Sequence, residues 1–215
     1  MAAKPMIRHG LMQNGLMRHR IHHGESAARG SLSGHLAILS ERRRQGDFGA
    51  AAMGFVTMAP IRLLLPADLD QVIEVYRDAV LSQARGLYGR QQVDAWAHHA
   101  ELDPAVRQAL GRGHGLVSCA EHNPAVVEAF ALLEPADRLS LLYCRGRACR
   151  QGRGRQLVER LERHARGNGI LRLRTEASQL SRPLLERLGW RVEGEERVMF
   201  AGAFFLRWRM IKSLS

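Results

Sequence analysis

Between Leu139 and Val158 the chain sets Arg145, Arg147, Arg150, Arg153 and Arg155 around Gly152 and Gly154, with no aspartate or glutamate among them. A short apolar run, Leu139 to Cys144, leads into this segment and an amphipathic run leads out of it. Strand, glycine loop, then helix is an order suited to binding an anion. The first turn of a helix leaves backbone N–H groups without intrahelical partners and carries the positive end of the dipole. Glycines at its entrance remove side chains where a phosphate must approach the backbone. Guanidinium groups add attraction and paired hydrogen bonds. These residues predict a site for a phosphorylated ligand over Arg150, Gln151, Gly152, Arg153, Gly154 and Arg155.

Two other phosphate loops are excluded. A P-loop needs lysine and then serine or threonine after its second glycine, whereas Lys4 and Lys212 are the only lysines in the chain. A dinucleotide fingerprint needs a third glycine at position 157, which is Leu157. Of the three cysteines, Cys119, Cys144 and Cys149, none has metal-site spacing and no histidine lies near the last two, so no metal is expected. They read as reduced thiols of a cytoplasmic protein.

The elements that must position this loop follow from periodicity. Ile61 to Leu65 reads as a first strand, and Asp68 as the cap of a helix carrying Leu69, Val72, Ile73, Val75, Tyr76 and Val80 on one face. Further helices are expected over Gln91 to Ala100 and Pro104 to Leu110. Strands are expected over Leu116 to Ala120, Val126 to Leu133 and Leu139 to Cys144. After the loop come a helix from about Gly154 to Arg166, a strand from Ile170 to Glu176 and a short helix from Leu180 to Leu188. A hairpin of Trp190 to Phe200 and Phe204 to Ile211 turns at Ala201-Gly202. Interleaved strands and helices describe one α/β domain with a mixed sheet.

The first 58 residues differ: they hold six of the eight methionines, five of the ten histidines and eight of the 21 glycines, with no sustained apolar period. Residues 1–58 are expected to form a disordered basic extension, or to precede a native start at Met53 or Met58, and residues 59–215 to form the domain. No run approaches the ~18 apolar residues of a membrane helix, so no membrane partner is expected. The net charge of +11, nearly all arginine, admits polyanionic partners. The scarcity of lysine and of aromatics among the arginines argues against nucleic acid.

Leu142-Tyr143-Cys144 followed by Gln151-Gly152-Arg153-Gly154 resembles the cofactor motif of the GNAT superfamily of N-acetyltransferases. Thr175-Glu176-Ala177-Ser178 and the run from Arg182 to Trp190 resemble its next motif, a strand and helix ending in Gly-aromatic. Tyr88 to Trp96 is similar to a segment in a bacterial branch of small, mostly uncharacterised members. The resemblance covers roughly Pro60 to Lys212. It implies a mixed, mostly antiparallel sheet of six to seven strands flanked by about four helices. It implies acetyl-CoA as co-substrate, with its pyrophosphate on the amides of Arg150 to Arg155. The pantetheine arm would lie against the backbone of Leu142, Tyr143 and Cys144, where two strands splay apart, and Ser178 would stand where many members have asparagine. The implied reaction is direct acetyl transfer to the primary amine of a small molecule or peptide, by a monomer or homodimer.

The chain departs from that pattern. Cys149 occupies the first motif position, usually glutamine or arginine, as a tolerated substitution or a thiol activated by its cationic surroundings. Leu185 stands where a tyrosine general acid is often found. With no carboxylate in the strand before the loop, Glu134 and Glu176 are the nearest catalytic candidates; a water relay or a partly neutral amine is the alternative. Tyr88, Trp96, His98 and His99 are candidates for the acceptor entrance, or packing and surface residues. These departures leave open a catalytically weak acyl-CoA-binding regulatory module, and the Arg/Gly loop with the basic extension leaves open a nucleic-acid-binding protein.

Overall fold

Runs of alternating and helical apolar period become seven strands and five α-helices among the described residues, which in this computed structural model are 59–215. The expectations for residues 1–58, including the starts at Met53 and Met58, lie outside the described residues. The chain runs β1 (Ile61–Leu63), α1 (Leu69–Gln83), α2 (Arg90–Leu102), α3 (Pro104–Arg112), β2 (His114–Ala120), β3 (Asn123–Leu133) and β4 (Leu139–Cys144). It continues through α4 (Arg153–Gly167), β5 (Arg172–Ala177), α5 (Arg182–Arg187), β6 (Arg191–Phe200) and β7 (Ala203–Ser213).

The strands form two antiparallel sheets, β1-β2-β3-β4 and β5-β7-β6. A single parallel bridge between Arg138 and Arg174 joins β4 to β5. The expected strand number and mainly antiparallel pairing are met; the helices are five rather than about four, and the sheet is opened between β4 and β5.

Strand alternation sends successive side chains to opposite faces, and here both faces are covered. Val117, Cys119, Phe130, Leu132, Leu141 and Tyr143 pack with α1, α2 and α3. Their sequence neighbours Leu116, Ala129, Ala131 and Leu133 pack with Leu157, Val158, Leu161 and Ala165 of α4, joined by Leu139 beyond the register shift at Leu132 and Leu133. This double burial explains the near-continuous apolar text of β3. Asp103 accepts from Ala105 N at 2.8 Å and, with Pro104 in the first turn, starts α3.

Two expected boundaries move for local reasons. Ile170 N donates to Ala165 O at 3.0 Å, so this residue closes α4 instead of opening β5. Ser178 and Ser181 bond reciprocally, Ser178 N to Ser181 Oγ at 3.0 Å and Ser181 N to Ser178 Oγ at 3.2 Å. That turn delays α5 until Arg182.

Candidate functional site

The splay is set by backbone register. Arg174 N donates to Asp137 O at 2.9 Å and Thr175 Oγ1 to Leu139 O at 2.7 Å. Side chains add to the tie at this end, Arg174 to Asp137 and Arg138 to Glu176, and beyond it no strand ladder pairs β4 with β5 among the described residues. Arg145 N bonds Glu128 O, while Cys144 pairs with Ala129 across β3. In an antiparallel ladder this makes Cys144 and Leu142 the positions whose N–H and C=O point away from β3, into the splay. Tyr143 is turned the other way. Its backbone faces β3, and its buried ring packs at a tilt against Tyr76 and takes a hydrogen bond from Trp96 Nε1 at 3.1 Å. Of the three predicted strand residues, Leu142 and Cys144 turn backbone groups into the splay, with the Cys144 carbonyl already taken by Gln83, and Tyr143 anchors the core.

The loop after β4 is fastened to α1. Gln83 Nε2 donates to the Cys144 carbonyl at 2.7 Å, and Gly146 N donates to Asp78 Oδ2 at 2.7 Å. A Cβ at Gly146 would stand 2.6 Å from Ser82, so only glycine lets the two backbones come this close. Arg150 (φ 60°) and Gly152 (φ 78°) then turn the chain through the left-handed region into α4. At Arg150 that conformation costs about 1–2 kcal/mol. The helix start has no side-chain cap, and the backbone bond nearest it is Gln156 N to Gly152 O at 3.0 Å. Among the described residues the amides of Arg150 through Arg155 therefore have no backbone partner. They are a row of free donors at the place where the glycine spacing leads one to expect an anion site.

The arginines are another matter. Arg147 pairs with the buried Glu128, NH2 to Oε1 at 2.8 Å, and Arg145 reaches Val127 O at 3.1 Å and Glu74 at 3.2 Å. Arg153 is 6% exposed and donates to Cys119 O at 2.7 Å and Ser118 Oγ at 3.0 Å. Arg155 pairs with Glu159 at 2.7 Å. Arg150 alone of the five is exposed with no hydrogen bond or ion pair among the described residues. Gln151 accepts from Arg153 Nε at 3.3 Å and donates to Arg147 O at 3.2 Å, bracing the loop. Tertiary pairing has absorbed most of the cationic character counted along the sequence.

Cys149 Sγ lies 3.2 Å from Arg145 O and 3.6 Å from Cys144 O. A hydrogen bond from the Cys144 thiol lowers the Cys149 pKa against the effect of burial, with Arg150 adding to the lowering. The same bond, together with burial, raises Cys144.

The two candidate carboxylates are placed differently. Glu134 begins the β3–β4 turn, at the closed end of the splay; five residue steps of strand, about 17 Å, separate that end from Cys144. Glu176 pairs through Oε2 with Arg138, whose Nε lies 2.8 Å away and whose side chain is 2% exposed. Ser178 is buried in its turn with Ser181, and Leu185 is 1% exposed in the core beneath α4.

Of the aromatic and histidine candidates, Trp96 is buried, His98 is exposed, and His99 packs on Phe200 with ring centroids 4.3 Å apart. Tyr88 is tied to the residues after β5: its hydroxyl accepts from Gln179 N at 3.0 Å. Tyr88 also lines a cleft of about 480 Å³ with Arg85, Gly86, Arg90, Val93 and Asp94. Gln83 and Arg85 were not legible as site residues, because only the folded chain brings α1 to the end of β4. Among the described residues no three His, Cys, Asp or Glu side chains cluster as a metal site, and no helix is long and apolar enough to cross a membrane.

The family model described as an acetyltransferase (GNAT) domain matches residues 85–212. A search of curated proteins finds no match. Among solved structures, the chain is similar to a GCN5-related N-acetyltransferase from Rhodopseudomonas palustris, at 24% identity and a TM-score of 0.67 over 74% of this chain and 99% of that one. It is also similar to the PaiA N-acetyltransferase of Thermoplasma acidophilum, solved with coenzyme A, at 19% identity and TM-score 0.58 over 72% and 98% of the two chains. A phosphinothricin acetyltransferase from Sinorhizobium meliloti, solved with acetyl-CoA, gives 19% identity and TM-score 0.55 over 74% and 89%. At these identities the structural likeness speaks for the fold.

Proposed function

The chain belongs to the GNAT acetyltransferase family, and on that premise we propose that it moves an acetyl group from acetyl-CoA to a primary amine by direct transfer. The observation that carries this reading is the row of unpartnered amides from Arg150 to Arg155 standing beside the open β4–β5 edge. Those amides would hold the pyrophosphate, with Arg150 as the free cation beside them, and the backbone groups of Leu142 and Cys144 would hold the pantetheine arm as an added strand does. Acetyl-CoA bound there supplies a thioester carbonyl as the electrophile. The acceptor enters from the side of the α1–α2 connection. Its nitrogen forms the C–N bond as the C–S bond breaks; the nitrogen gives up a proton to water, and the departing thiolate takes one.

Neither Glu134 nor Glu176 is assigned that proton, because one sits at the closed end of the splay and the other is paired with Arg138. An odd number of cysteines without paired spacing supports a reducing, cytoplasmic setting. Initial rates with both substrates varied test the scheme. Intersecting reciprocal plots are expected from direct transfer, and parallel ones, the mark of a covalent acetyl-enzyme, contradict it.

The burial of Leu185 and the pairing of Glu176 favour one second reading, a weakly catalytic acyl-CoA-binding module. Tight acetyl-CoA binding with no transfer to any amine selects it.

A further inference from the structure

The segment joining α1 to α2 spans the open mouth of the splay. At one end Gln83 holds the carbonyl of Cys144, the last residue of β4. At the other the Tyr88 hydroxyl holds the amide of Gln179, two residues past the end of β5. The cleft of about 480 Å³ is walled by this segment and the first turns of α2, and Tyr88, which lines it, is the same residue that holds Gln179 at the mouth.

The charges lining that cleft are unequal. Arg85 is exposed and makes no hydrogen bond or ion pair among the described residues. Arg90 and Asp94 face each other at 3.7 Å with side chains 97% and 56% exposed, a solvated pair that largely cancels. Arg85 is left as the uncompensated charge. A polycationic amine meets repulsion there. An amine that also carries a carboxylate has a partner for the Arg85 fork, which matches two carboxylate oxygens at once. The same positive field disfavours the ammonium form of the bound acceptor and so favours the neutral, nucleophilic amine. That effect supplies part of what a general base would otherwise do.

We infer that this cleft is the acceptor subsite and that it selects small primary amines bearing a carboxylate, of amino-acid size, with Arg85 as the specificity-determining residue. The inference rests on the acetyl-transfer reading above. The product is the N-acetyl acid and free CoA: the amine nitrogen gains the acetyl group and loses a proton, and the CoA sulfur gains one.

The test uses the full chain, acetyl-CoA and a panel of free L-amino acids, each paired with its carboxamide, together with spermidine. CoA release gives kcat/KM for each acceptor, and calorimetry gives acetyl-CoA affinity alongside. The expected result is a kcat/KM at least about tenfold higher for acids than for their amides, with spermidine poorest, and a collapse of the acid-to-amide ratio in Arg85→Ala with partial recovery in Arg85→Lys. Amides or spermidine used as well as the acids, or a ratio unchanged in Arg85→Ala, overturns this inference and leaves acetyl transfer standing. Transfer to a peptide N-terminus but to none of these amines also overturns this inference and leaves acetyl transfer standing; transfer to neither, with acetyl-CoA still bound, overturns the amine-transfer reading and this inference with it.

Discussion

The Arg153 guanidinium reaches back from the first turn of α4 to the Cys119 carbonyl on β2, 2.7 Å away. A residue that sequence alone places among the ligand-binding cations is thereby a strut. It holds the entrance of α4 against the sheet, so that the amides beside it keep a fixed direction.

Arg153→Ala should therefore act on stability first. It deletes two buried hydrogen bonds and leaves Ser118 Oγ and Cys119 O without a donor, a loss of about 2–4 kcal/mol. Chemical denaturation measures it. A variant as stable as the parent would remove Arg153 from the scaffold.

Arg150 should behave in the opposite way. Being exposed and unpaired, Arg150→Ala should leave the melting curve in place and weaken acetyl-CoA binding about tenfold at low salt, with a smaller deficit as salt rises. Arg147→Ala and Arg155→Ala, whose partners are Glu128 and Glu159, should change affinity by less than about twofold. Equal losses from all three would restore the view that the whole cationic segment binds the ligand.

Glu176 separates structural from catalytic reading cleanly. Removing it takes away the carboxylate that pairs with the buried Arg138 guanidinium, so Glu176→Ala should cost about 3 kcal/mol of stability. The activity of the protein that remains folded should stay within a few-fold of the parent. A hundredfold fall in kcat with an unmoved melting temperature would make Glu176 the general base after all.

Burial holds the imidazole of His99 below its ordinary value of 6.5, partly opposed by Asp103. Burial and then the neighbouring His164, stacked at 3.4 Å between centroids, hold His114 below the same value. The unfolded chain thus binds protons at a pH where the folded chain does not. This contribution to stability is complete above the ordinary histidine value and is lost as pH falls through it toward the lower folded values. The melting temperature should drop between pH 7.5 and 5.5, and a His99→Gln, His114→Gln pair should flatten that slope. An equally steep slope in the double variant would assign the acid sensitivity elsewhere.

Residues 1–58 are proposed to be dispensable. β1 begins at Ile61 and completes the sheet edge by pairing with β2, so a chain starting at residue 59 should keep the acetyl-CoA affinity of the whole. A large loss of affinity would make the extension part of the site.

The parts of this fold legible in the sequence are those governed by neighbours in the chain. The strand Leu139–Cys144 matches its predicted bounds because apolar residues fill all of it but Ser140, and the left-handed turn at Gly152 follows from the glycine itself. Pairing across the fold was not legible. The partner of Arg153 stands 34 residues upstream, and the link from Tyr88 to Gln179 spans 91. Apart from the pair Arg155 and Glu159, four residues apart on one helix face, nothing in a local pattern says which arginine of this segment will find a carboxylate and which will stay free. The glycines and helix-end amides could be read for function, whereas the arginine count overstated the available charge.

The most direct test of the central claim, that the Arg150 to Arg155 amides hold acetyl-CoA, is calorimetric titration of a Gly152→Asp, Gly154→Asp variant. A Cβ at position 152 meets nothing closer than Gln156 Nε2 at 3.7 Å, and at 154 only the flexible Leu184 Cδ2 at 3.1 Å. Acidic residues are also favourable at a helix start, which helps the fold persist despite the left-handed backbone at 152. The two carboxylates would nevertheless repel a pyrophosphate. Loss of detectable acetyl-CoA binding by a folded variant is the predicted result; affinity equal to that of the parent would contradict the account.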